Sequence, residues 1–404
     1  MVAKAIIAGV VCVSFLALVA CNSDSSKTPA NQSGTDLSAE TVALGIEAIP
    51  AQLSSTYSMA LKFNRYTKVT APNNKPIHIV AQDKLSDNQI VRARAILTHY
   101  LTDLPGSKYG SDKSAVANKM ATNGAILLLL NGSDDGSNSA ANLNGQPLYQ
   151  NEIQVEGGTW YINQDFEQHR DASFEEILHM VHDYGIGIDQ NSEFIGALPE
   201  FQAEIRSAQI TALNDKLWGG DTNWITELTA ENSLTQEYLA SVIDAYYGLW
   251  GAWTGSETHS MWGGYVAKTR AEIKGEDPLA ATLMDKQFFH SYLTYNARID
   301  ASFKGDFSLR FEPKLGYTHH SQYLKDITLT GNEASNVVVN QFDNNISGNS
   351  AKNQVKFSGN SSQYSIEKQE DGTTVVADLV SNRDGVNTLK EIEQLVFEDS
   401  SISL

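Results

Sequence analysis

The sequence predicts an α+β domain followed by a small all-β module. Three observations predict it: a strand, helix, strand order between residues 76 and 131, helical periodicity almost throughout from Glu193 to Ile299, and a turn near residue 312 to Asn, Gly and β-branched residues. The chain divides accordingly into residues 1–21, an export signal; 22–45, a polar linker; 46–311, a domain with a small mixed sheet and a helical second half; and 312–404, the β module.

At the amino terminus Lys4 precedes an uncharged apolar run, Ala5 to Ala20, that ends Leu18-Val19-Ala20-Cys21. The run is shorter than the roughly 20 residues of a membrane span. Its ending resembles a bacterial lipobox, which implies cleavage before Cys21, acylation of that cysteine and a mature protein held to the membrane by lipid alone. Asn22 beside the cysteine points to the outer membrane. The Ser-, Asn-, Asp- and Thr-rich stretch that follows is too polar to bury and reads as a flexible tether. The other cysteine, Cys12, lies within the signal, so the mature chain has no thiol for a disulfide, a nucleophile or a metal. Any metal site must use His and carboxylate. A formal charge of −19 disfavours nucleic acid as a partner.

Along the folded part, Pro76–Val80 has the β-branched enrichment of a strand. Asp87 to Leu104 follows with Ile90, Val91, Ala95, Leu97, Tyr100 and Leu101 at helical spacing. A short helix is expected over Lys113–Ala121, and Gly124–Asn131 is apolar enough for a strand buried on both faces. Residues 132–147 are turn formers throughout and predict a surface loop. Asn151–Glu156 alternates, Gly157-Gly158 supplies a tight turn and Thr159–Ile162 returns, which predicts a hairpin.

The segment Phe174-Glu-Glu-Ile-Leu-His-Met-Val-His-Asp-Tyr-Gly185 reads as a helix. At about 100° per residue, Glu175, His179 and His182 share one narrow face and Glu176 lies one residue round from it. Pro199 then opens a helix with Glu200 and Glu204 at i and i+4. Glu175 to His179 resembles the HExxH motif of zincin metallopeptidases with the first His replaced by Glu, and the strand, helix, strand, hairpin order resembles the first half of that domain. The run Pro199-Glu-Phe-Gln-Ala-Glu-Ile-Arg206 resembles the ligand helix of lethal-factor-like gluzincins. The resemblance implies zinc held by His179, His182 and Glu200, with Glu176 or Glu175 as general base and Glu204 behind the ligands. A second scheme puts Glu175 beside His179 and Glu200, with Glu176 as base. The purely structural account competes with both: Ser173 and Glu176 form a capping box, Glu175 answers the helix dipole, and the downstream glutamates are solvated.

Trp218, Trp224, Trp250, Trp253 and Trp262 cluster with Tyr246, Tyr247 and Tyr265, a pattern that reads first as core packing. Tyr246, Tyr247 and His259 are candidate oxyanion donors that the sequence does not rank.

In the last 93 residues Gly331-Asn-Glu-Ala-Ser-Asn-Val-Val-Val339 and Gly348-Asn-Ser-Ala-Lys-Asn-Gln-Val-Lys356 share a spacing. These runs, with Arg383–Leu389 and Ile392–Phe397, resemble the nonapeptide β-roll repeats and closing segment of RTX and serralysin-like proteins. Asn and Ala stand where that family places its second and third Gly, and Asn replaces Asp, so a structural β cap is expected rather than a calcium site. Together these readings predict a zinc-dependent peptide hydrolase acting on peptide or protein, tethered to the cell envelope by lipid. The alternative is a non-catalytic surface binding or adhesion lipoprotein that keeps a zincin-like fold with a lost metal site.

Overall fold

The position of the sheet follows from its central strands, whose near-continuous apolar runs bury side chains on both faces. A computed structural model describes residues 37–166, 169–191, 193–254, 264–285 and 287–404. The expected export signal with Cys21, most of the expected tether, His259 and Trp262 lie outside the described residues. Among the described residues no helix is long and apolar enough to cross a membrane.

The linker ends earlier than expected. Ser38 caps α1 (Ala39–Ala43) by accepting the Thr41 N–H at 3.0 Å, and Ile46 is fully buried. Strand β1 (Phe63–Thr70) pairs antiparallel with β2 (Pro76–Gln82). Helix α2 (Asp87–Leu101) starts at a Ser86/Gln89 capping box, and α3 (Ser114–Thr122) leads to β3 (Ile126–Leu130), all of whose residues are buried. Strand β4 (Gln146–Tyr149) completes a sheet of order β1-β2-β3-β4 in which β2, β3 and β4 run parallel. Ile77, Ile79, Leu127, Leu129 and Leu148 face the helices, whereas Val80, Leu128, Leu130 and Tyr149 meet Tyr57 and Ala140 on the other side.

The hairpin expected over residues 151–162 does not form. The edge beside β3 is taken by β4, from the end of the expected loop, and the positive φ of Gly157 turns the chain into α4 (Thr159–Asn163) instead of a return strand. Burial drives that choice, since the Trp160 indole donates to His169 O and the Tyr161 hydroxyl to Asp171. Next comes α5 (Ser173–Val181), buried at all its positions, which runs into a π-helical turn over His182–Ile186. A Cβ on Gly185 would lie 2.7 Å from Val116, so only glycine lets α3 approach this turn. Helices α6 (Pro199–Asn214), α7 (Thr222–Glu231), α8 (Leu234–Tyr246), α9 (Arg270–Glu276) and α10 (Pro278–Met284) make the helical second half. Trp218 and Trp250 are buried in the core, with Trp224 and Trp253 packed against it, so these four tryptophans pack rather than line a cleft.

Strands begin again at β5 (Asn296–Ile299) and β6 (Gly305–Ser308), before the predicted boundary at 312. After the one-turn α11 (Thr318–Ser321) come β7 (Asp326–Leu329), β8 (Ser335–Val338), β9 (Asn344–Ser347), β10 (Gln354–Lys356), β11 (Tyr364–Lys368), β12 (Thr374–Asp378), β13 (Val386–Lys390), β14 (Gln394–Val396) and β15 (Ser401–Ser403). From β5 to β10 successive strands alternate between two sheets, of orders β11-β12-β13-β9-β7-β5 and β15-β14-β10-β8-β6, with parallel pairing between successive turns. Val337 pairs with Val355 and Ile327 with Ile346, filling the interior between the sheets.

Buried asparagines hold the turns. Asn340 Nδ2 donates to Leu324 O at 2.9 Å, Asn344 Nδ2 to Lys325 O at 2.8 Å and Asn353 Nδ2 to Ser335 O at 2.8 Å. Each amide satisfies a backbone carbonyl of the preceding turn, work that a cation would do with charged ligands. The module shares one core with the helical part, and Tyr295 reaches across to Glu156, itself paired with buried Arg92.

Candidate functional site

Helix α5 owes its position to Phe174, Ile177, Leu178 and Val181, which sink it between the sheet and α8. Its polar side chains therefore open into the protein rather than into bulk water. Donor atoms of Glu175, Glu176 and His179 all lie within 4.8 Å of one another, and all three residues are buried. His179 Nδ1 is 3.6 Å from Glu176 Oε2, and its Nε2 is 3.8 Å from Glu237 Oε1 on α8. Nε2 has no hydrogen-bond partner among the described residues.

The two glutamates are held from other elements. Gln146 Nε2 on β4 donates to Glu176 Oε2 at 2.6 Å, and Arg170 Nη1 pairs with Glu175 Oε2 while its Nη2 lies 3.8 Å from Glu176 Oε1. The expected capping box is absent because Asp171 Oδ1 takes the Ser173 N–H and Glu176 is turned to Gln146 instead. Glu237 and Asp244 stand two turns apart on one face of α8. Sequence reasoning missed both, although two acids seven residues apart on one face of a mostly apolar helix were the available signal.

Electrostatics follow from burial and crowding. Burial opposes the imidazolium of His179, but Glu237, Glu176 and Glu175 outweigh it and lift the group to about 9. Burial raises the Glu237 carboxyl despite the pull of His179, and it raises Asp244 with Glu175 adding repulsion. Opposite charge thus comes from one guanidinium and one imidazolium among several carboxyls.

The other expected ligands are elsewhere. His182 is fully buried and donates from Nε2 to Gln202 Oε1 at 2.6 Å, with burial lowering it to about 4, so it is a neutral imidazole bound to α6. The π-helical turn that begins at His182 breaks the regular α-helical continuation on which the shared face was predicted. Glu200 is exposed in the first turn of α6. Glu204 accepts from Lys108 Nζ at 2.6 Å and Tyr109 OH at 2.9 Å. Tyr246 packs on Arg270, and Tyr247 donates its hydroxyl to His290 O.

The carboxylate and imidazole trio could hold a divalent cation, and Glu237 lies on the side of the second ring nitrogen, 3.8 Å from Nε2 and beyond hydrogen-bond distance. Arg170 is the element that does not belong to such a site, because its guanidinium already neutralises Glu175. No protein-family model matches the chain, and no curated protein matches it.

Proposed function

We propose that the protein is a metal-dependent hydrolase of peptide bonds, held to the cell envelope by lipid on Cys21. The observation that carries the reading is the convergence of Glu175, Glu176 and His179 within 4.8 Å on a buried helix. In this reading Glu175 and His179 would hold a zinc ion, which would supply Lewis acidity toward water and a carbonyl, with the Glu237 carboxyl facing the second nitrogen of the His179 ring. Glu176, anchored by Gln146, accepts the proton. The order β2, α2, β3 ahead of the site helix keeps the strand, helix, strand part of the zincin resemblance without its hairpin, and supports the assignment to that extent. The RTX-like β module is assigned a structural role, its Asn amides standing in for calcium.

The test is metal content of the full chain by mass spectrometry after zinc is offered at neutral pH, beside His179→Ala. About one zinc per chain in the parent and none in the variant supports the reading. No zinc in either sinks it.

One observation favours the second reading, a non-catalytic binding or adhesion lipoprotein: the Arg170 pair with Glu175 gives the cluster its own cation. Under that reading Arg170→Ala lowers stability and zinc restores none of it.

A further inference from the structure

Where the helical part meets the β module there is a cavity of about 380 Å³, a volume within the range of small-molecule sites. Its lining includes Arg270, Arg310, Phe311, Tyr323, Gln341 and Phe342, and no carboxylate is among the residues that line it. That is unusual on a chain of formal charge −19.

The two arginines are rigidly placed. The Arg270 guanidinium lies 3.8 Å from the Tyr246 ring centroid and 3.7 Å from that of Tyr323, and donates from Nε to Tyr246 O at 2.8 Å and from Nη1 to Ser291 O at 2.5 Å. Its Nη2 is buried at the edge of the cavity with no hydrogen-bond partner among the described residues. Arg310 uses Nε on Val339 O and Nη2 on Arg383 O and Asp384, so its charge is balanced by Asp384 while the Nη1 donors have no acceptor among the described residues. Arg270 therefore leaves a net positive charge beside aromatic surface. A third cation stands near, since Lys325 Nζ lies 4.5 Å from the Tyr292 ring that packs on Phe342.

We infer that this cavity binds a small planar carboxylate, its anionic end on the arginine side and its conjugated body against Tyr323, Phe311 and Phe342. A guanidinium with uncommitted N–H groups matches a carboxylate in plane, and aromatic walls favour a flat body over an aliphatic one. The site is separate from the α5 cluster, and it spans the two parts of the fold.

The test uses the full chain and isothermal titration calorimetry at low salt, with benzoate as the probe and benzylamine as its cationic counterpart. Benzoate is expected to bind saturably and benzylamine not to bind. Arg270→Gln is expected to abolish the benzoate heat. Because Arg270 also packs between two rings, the deciding variant is Gln341→Glu at an exposed position, which should weaken benzoate about tenfold with an unchanged melting temperature. Gln341→Lys should tighten it. Absence of saturable benzoate binding, equal binding of benzylamine, or parent-like affinity in Gln341→Glu overturns the inference.

Discussion

The imidazole of His179 stands between two carboxylates from different helices, with Nδ1 3.6 Å from Glu176 Oε2 and Nε2 3.8 Å from Glu237 Oε1. Glu176 is its neighbour along α5, whereas Glu237 arrives only because α8 packs across α5. This cross-helix pair makes the ligand schemes distinguishable. Glu237→Gln is expected to weaken zinc roughly 10- to 100-fold, the usual cost of losing a carboxylate behind a ligating histidine, whereas exposed Glu200→Gln leaves affinity unchanged. Competition with a chromogenic chelator reads both, and a large loss in Glu200→Gln would restore the scheme expected from the sequence.

Arg170→Ala removes the guanidinium paired with Glu175 and strands buried carboxylates. Without metal the cost should be about 3–5 kcal/mol by urea denaturation, as for a broken buried ion pair. With zinc present most of that loss should return, since a divalent ion answers the same charge.

His182→Ala tests a role in packing and hydrogen bonding. It leaves Gln202 Oε1 without its donor in a buried setting and opens a cavity, so destabilisation of about 2–4 kcal/mol is expected. Zinc stoichiometry of the folded variant should match the parent; loss of metal from a folded His182→Ala protein would show that the ring turns back to α5.

Lys113 supplies a pH dependence away from the site. Burial lowers its ammonium to about 7, with Nζ donating to Tyr100 O and lying over the Phe288 ring. Between about 7 and its ordinary value of 10.5 the unfolded chain binds a proton that the folded chain does not, so stability from this group rises with pH across that window and its full cost applies below 7. The difference between parent and Lys113→Met in urea should therefore shrink from pH 7 to pH 10, by up to about 1.4 kcal/mol per unit. A difference that does not change with pH would mean the lysine stays charged when folded.

The β module should be indifferent to chelation. Its turn carbonyls are satisfied by Asn340, Asn344 and Asn353, so EDTA is expected to leave its amide exchange unchanged, while Asn353→Ala costs about 1–3 kcal/mol. Calcium-dependent protection in the parent would contradict the assignment.

Much of this was legible in one dimension. The apolar periodicity of Asp87–Leu101, the continuous apolar run at Ile126–Leu130 and the helical pattern of the α5 segment fixed elements whose burial is decided by neighbours in sequence. The repeat from Gly331 to Lys356 likewise announced a β module, because each turn makes nearly the same contacts as the next. Glu175, Glu176 and His179 were nameable for the same reason: a helix sets i, i+1 and i+4 without help.

Tertiary structure decided the rest. Whether Gly157-Gly158 led into a strand or into α4 depended on which segment reached the β3 edge, and β4 took it. His182, Glu200 and Glu204 turned to Gln202, solvent and Lys108, while Glu237 and Arg170 came to the cluster from positions that no local spacing connects to α5. Local sequence sets backbone torsions and therefore the face of one helix; which charges share a buried site is set by packing between helices, where a guanidinium or a carboxylate distant in the chain is held because leaving its partner alone in low dielectric costs more.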